Sequence, residues 1–125
     1  GGPVARAANK LGTTSFYGMR TYGDTCDTES ARSIGRTIGA DIGALGFNVD
    51  FAPVADVNIN GLNELGSRIF SSDPDVVSQM VTAFVVGIHE IGVCATLKHF
   101  PGLGAEDGNT HYDRSVTLDR SVDDL

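Results

Sequence analysis

Residues 73–97 read DPDVVSQMVTAFVVGIHEIGVCATL, and the fold turns on how this stretch is parsed. Asp73 before Pro74 is a helix start. The carboxylate caps free backbone N–H groups, and proline suits the first helical position, where a missing N–H costs nothing. Val77, Met80, Val81, Phe84, Val85 and Ile88 then recur at three- and four-residue steps and form one apolar face. Gly92 stops the helix. The VCATL run at 93–97 is short, continuous and apolar, as in strands buried in parallel sheets.

The same order occurs upstream. Asp24-Thr25-Cys26-Asp27 offers cap chemistry, Ala31, Ile34, Ile38, Ile42 and Leu45 form a helical stripe, and Gly46 supplies the stop. FNVDFAPVA at 47–55 alternates at Phe47, Val49 and Phe51 and reads as a strand ending near Pro53. Residues 56–73 are turn-rich and too long for a plain connection. Ser121-Val122-Asp123-Asp124 reads as the cap of one more helix. Helix, strand, helix, strand and a further helix start describe a parallel α/β chain. In such folds functional groups gather beyond the C-terminal ends of strands, which here means residues 56–70 and 98–111.

The chain has 125 residues and 41% hydrophobic content, the profile of one globular domain. Its apolar runs are too short to span a bilayer. A net charge of −7 with no Lys/Arg cluster argues against nucleic acid and against an anionic membrane surface. The expected partner is a small neutral or polar molecule. Two cysteines, Cys26 and Cys94, form no framework. Cys94 in its apolar run is expected to be buried, and without a CxxC spacing no structural zinc site is implied.

KHFPGLGAEDGNTH at 98–111 carries the chemistry. Lys98 and His99 at a strand end place an ammonium and an imidazole side by side, suited to vicinal hydroxyls or a carboxylate. Phe100, Pro101 and Gly102 force a tight turn, and the glycines after it let backbone fold close over a ligand. His111 titrates near neutrality and could move a proton. A phosphate-cradling reading of GLGAEDG lacks the following apolar helix and any GK[ST]. His99, Asp107, His111 and Asp113 match no zinc spacing, so no metal is expected. His89 reads as a rim or core histidine, and Arg68 as anchored in the long loop by Gly66, Ile69 and Phe70.

KHFPG followed by a glycine-containing loop and Thr-His resembles the signature of glycoside hydrolase family 3, in its β-N-acetylglucosaminidase branch. GGPVAR at 1–6 resembles the tail of that branch's D-x-EGG-x-V-x-R segment. LGFNVDFAPVADVN at 45–58 resembles its second diagnostic strand, and GSRIFSSDP at 66–74 its G-x-RSF-G-x-DP loop. Four motifs in order cover essentially the whole chain. The resemblance implies a portion of a (β/α)8 TIM-type barrel, with residues 1–125 forming a partial N-terminal catalytic domain. It implies retaining hydrolysis of terminal β-linked sugars, typically N-acetylglucosamine from cell-wall or chitin fragments, with no cofactor.

By the same resemblance, Arg68, Lys98 and His99 match positions that hydrogen-bond sugar hydroxyls. His111 matches the acid/base histidine, Asp56 a structural support of the pocket floor, and Pro101 and Gly102 the shaping turn. The branch usually has Asp-Ser-His or Asp-Thr-His where this chain has Asn109-Thr110-His111. An amide at Asn109 can orient the ring but cannot stabilise its cation by charge. The sugar-binding aspartate of the first motif would precede Gly1, and the nucleophilic aspartate would follow Leu125. The chain is therefore expected to be an excerpt of a larger enzyme, inactive alone. Incomplete, it would expose sheet edges that invite self-association. Two alternatives stand beside this reading: a non-catalytic or degenerate carbohydrate-binding member, and a half-barrel that assembles with a partner chain.

Overall fold

A computed structural model describes residues 6–105 and Ser121. The elements run α1 (Arg6–Leu11), α2 (Met19–Gly23), α3 (Thr28–Ala44), β1 (Val49–Asp50), a 3-10 turn (Gly66–Arg68), α4 (Pro74–His89) and β2 (Cys94–Ala95). The short helices α1 and α2 were not anticipated, because neither is long enough to show a period. The helix expected from Ser121 onward lies outside the described residues, Ser121 excepted.

Both long helices begin where their caps predict. Asp27 accepts from Ser30 N at 3.0 Å and from Ser30 Oγ at 2.6 Å, and this bonding holds the Asp27 carboxyl below the usual carboxylate range. Asp73 accepts from Asp75 N at 2.9 Å, with Pro74 opening α4. Gly46 and Gly92 follow the two helices at φ 87° and 81°. Along α4, Val77, Met80, Val81, Phe84 and Ile88 are buried as expected, while Val85 is only partly so. Along α3, Ala31 and Ile34 are buried and Ile38 and Ile42 partly covered, but Leu45 is exposed because it caps the helix rather than continuing its stripe.

Glycine sets the distance between α3 and α4. A Cβ on Gly35 would lie 2.2 Å from the Phe84 carbonyl oxygen, and one on Gly87 would lie 2.0 Å from that of Arg32. Each helix thus offers a bare backbone patch to the other, and Ile34, Met80, Phe84 and Ile88 fill the remaining space. Burying a side chain of this size contributes about 1.5–3 kcal/mol. At the rim, Glu90 bridges Arg32 and Arg36, with Nε–Oε distances of 2.8 and 2.9 Å. The guanidiniums of Arg36 and Arg32 hold its carboxyl below the usual glutamate range.

β1 and β2 are parallel, Val49 opposite Cys94 and Asp50 opposite Ala95. The ladder is interrupted at Pro53, which has no N–H to give, and then resumes. Lys98 N donates to Pro53 O at 3.3 Å, and Ala55 N donates to Lys98 O at 2.7 Å. The expected strand at 47–55 is therefore real in direction but broken in the middle. One sheet face meets the helices through Ala52, Val93 and Ala95. On the other, Phe47, Val49 and Phe51 are exposed, so their alternation marks an uncovered face rather than the described core. Cys94 shares that exposed side, which corrects its expected burial: strand alternation points it away from α4. Among the described residues, no helix is long and apolar enough to cross a membrane.

Candidate active site

Asp56 stands just beyond β1, at the point where the two loops meet. Its side chain is fully buried, and a carboxylate removed from water needs donors. It finds them on the other loop. Oδ2 accepts from His99 N at 3.0 Å and lies 2.8 Å from His99 Nδ1, while Oδ1 accepts from Leu103 N at 2.5 Å. The turn that Pro101 and Gly102 shape is thus tied at both ends to one carboxylate.

A second tie lies beside it. Asn63 is buried, and its Oδ1 accepts from Leu65 N at 3.0 Å and Gly66 N at 3.2 Å. Its Nδ2 reaches across to Gly104 O at 3.4 Å, the same carbonyl that accepts from Ile59 N and Asn60 N at 3.1 and 2.9 Å. Contact here is so close that a Cβ on Gly104 would lie 1.7 Å from Val57 O. Beneath, Ile69 and Phe70 are fully buried and anchor the 3-10 turn that carries Arg68, the anchoring expected for that loop.

The loops enclose a cleft of about 690 Å³ lined by Asp56, Lys98, His99, Phe100, Gly102 and their neighbours, a size that suits a small ligand. Lys98 and His99 are half-buried and share it. Phe100 is 99% exposed on its rim. Arg68 does not line this cleft, but its guanidinium is near enough to act on Lys98. Burial holds the Lys98 ammonium below the usual lysine range and Arg68 adds to the effect, while Asp50 and Asp56 pull the other way. Arg68 Nε is itself buried without a hydrogen-bond partner among the described residues.

Asn109 and His111 lie outside the described residues. Arg68, Lys98, His99, Asp56, Pro101 and Gly102 are all placed, and one region of the molecule holds them. Two residues went unread in the sequence. Asp50 lies between the flanking apolar positions of its strand, and burial pushes its carboxyl above the usual range, with Lys98 opposing. An acid inside an apolar strand was the available signal. Asn63 carried none, since one amide in a turn-rich stretch looks like any other. His89 ends α4, where its Nε2 accepts from Ala95 N at 3.4 Å, a rim position.

Over residues 1–125 the chain matches the family described as glycosyl hydrolase family 3 N terminal domain. It is 40% identical over 124 residues to Beta-hexosaminidase A of Pseudoalteromonas piscicida, covering 96% of this chain and 20% of that protein. The solved structure of M. tuberculosis LpqI matches with a TM-score of 0.85 at 34% identity, covering 99% of this chain and 36% of that one. NagZ from Neisseria gonorrhoeae, solved in complex with N-trifluoroacetyl-D-glucosamine, matches with a TM-score of 0.82 at 28% identity, covering 90% of this chain and 35% of that one. The chain spans between 20% and 36% of the length of these proteins. It belongs to glycosyl hydrolase family 3, as N-terminal domain sequence of the β-N-acetylglucosaminidase branch.

Proposed function

We propose that the full-length protein hydrolyses terminal β-linked N-acetylhexosamine with retention, and that this chain supplies the acid/base histidine and part of the sugar site. The supporting observation is the pair Lys98 and His99, set side by side in a cleft beyond a parallel strand, with His99 held there by a buried carboxylate. Relatives named β-hexosaminidases and a neighbour solved with an amino-sugar analogue favour the same substrate class.

In this reading Lys98, His99 and Arg68 hold sugar hydroxyls. His111 protonates the glycosidic oxygen as a nucleophilic aspartate, carried elsewhere in the protein, attacks the anomeric carbon. The histidine then takes a proton from water as the glycosyl–enzyme bond is hydrolysed. The exposed face of Phe47, Val49 and Phe51 is the inner face of a (β/α)8 barrel that the rest of the protein completes. Residues 1–125 are then a partial catalytic domain, inactive alone because retention needs the missing nucleophile.

The test is hydrolysis of an aryl β-N-acetylglucosaminide by the full-length protein, where His111→Ala should lower the rate about 10²–10⁴-fold. Full activity in that variant would remove the acid/base assignment. Asn109 favours a second reading, a degenerate carbohydrate binder, because an amide cannot stabilise a histidine cation by charge. Asn109→Asp separates the two. A change within about tenfold fits a working asparagine variant, whereas a much larger gain in rate fits lost chemistry.

A further inference from the structure

A carboxylate can only accept hydrogen bonds, so the 2.8 Å contact between Asp56 Oδ2 and His99 Nδ1 requires the proton to sit on Nδ1. Asp56 is engaged here through both of its oxygens. Its side chain is fully buried, and its oxygens are already taken by the His99 and Leu103 backbone N–H groups. The backbone bonds fix where the ring starts and the side-chain bond fixes how it is turned. With Nδ1 protonated, the neutral ring keeps its lone pair on Nε2. Among the described residues none hydrogen-bonds Nε2, and the side chain keeps 27% of its surface exposed while lining the cleft.

We infer that Asp56 is a positioning residue that holds His99 in the Nδ1–H tautomer, making Nε2 a hydrogen-bond acceptor for a substrate hydroxyl. This goes beyond a structural support of the pocket floor and rests on the proposed sugar site. Lys98 beside it can only donate. The pair therefore offers one donor and one acceptor at neighbouring positions. A diol meets both, because each hydroxyl donates and accepts. A carboxylate satisfies Lys98 but sets its own lone pairs against those of Nε2. The tautomer, not the presence of a histidine, is what inclines this cleft toward polyols over carboxylates.

The test uses the full-length, ¹⁵N-histidine-labelled protein and long-range ¹H–¹⁵N correlation spectra of the neutral ring. His99 Nδ1 should show the pyrrole-type signal and Nε2 the pyridine-type one; the reverse assignment, or a ring protonated on both nitrogens at neutral pH, overturns the inference. Added N-acetylglucosamine should move the Nε2 signal, and acetate should not. A saturating sugar that leaves Nε2 unmoved overturns the acceptor role. In Asp56→Ala the two tautomers should mix and affinity for N-acetylglucosamine should fall about tenfold, the loss of one hydrogen bond. An alanine variant that keeps one tautomer and full affinity also overturns it, and if that variant does not fold, the unsubstituted protein's spectrum still decides. An inactive protein with an Nδ1–H ring and a sugar-shifted Nε2 would sink the hydrolase reading and leave this one standing. An active protein with Nε2–H would do the opposite.

Discussion

Between α3 and α4, bare backbone meets bare backbone at Gly35 and Gly87, and aliphatic and aromatic side chains fill what is left. Between residues 56–70 and 98–105 the backbones also touch, at Gly104 and Val57, but the space around the contact is filled by Asp56 and Asn63. The first seam is held by area removed from water, which is insensitive to direction. The second is held by matching donors to acceptors, where every unmatched group carries a penalty. One seam answers to volume and the other to stoichiometry.

Substitutions can break that contrast. Asp56→Ala should cost the most, about 3 kcal/mol or more, since it strands buried N–H groups of His99 and Leu103 together. Chemical denaturation would measure it, and a loss below about 1 kcal/mol would mean the loop finds other acceptors. Gly87→Ala should follow at about 2–3 kcal/mol, because the new methyl meets the Arg32 carbonyl and the helices must separate. Sugar affinity should survive that change. If it falls as stability falls, the two seams are not independent.

Lys98→Met reverses the sign. Burial lowers the folded-state affinity of Lys98 for its proton, so the unfolded chain binds more protons over the alkaline window below the ordinary lysine value. Stability should then rise with pH through that window, and Lys98→Met should remove the slope while raising the melting temperature. The same variant should lose sugar affinity tenfold or more, roughly the worth of a charged hydrogen bond. Glu90→Gln should have the smallest effect. Its lowered proton affinity in the fold adds stability above the ordinary glutamate range, lost as pH falls through the depressed folded value. The pair is solvent-exposed, so thermal melts should show only a flattened acid limb that high salt also flattens.

Elements with a cap, a period and a stop were legible from the residues. Asp27 to Gly46 and Asp73 to Gly92 carried all three, and both helices formed as read. The strand at 47–55 carried an alternation but not the direction of burial. Which face of a strand is covered depends on what lies above it, and Phe51, at 71% exposure, faces away from α4. For the site, Lys98 and His99 were recognisable by motif and Asp56 by its place in VADVN. The bond joining Asp56 to a residue 43 positions later was not, because no local pattern encodes a long-range hydrogen bond. Asn63 was invisible for the same reason.

The approach of Gly104 to Val57 has a consequence for altering specificity. Because no side chain fits between the loops, neither can be lengthened, re-angled or exchanged while the other is left as it is. Loop grafts from related enzymes should succeed only when both segments travel together. The two loops, whose touching residues Asn63 and Gly104 lie 41 positions apart in the chain, form a single heritable cassette.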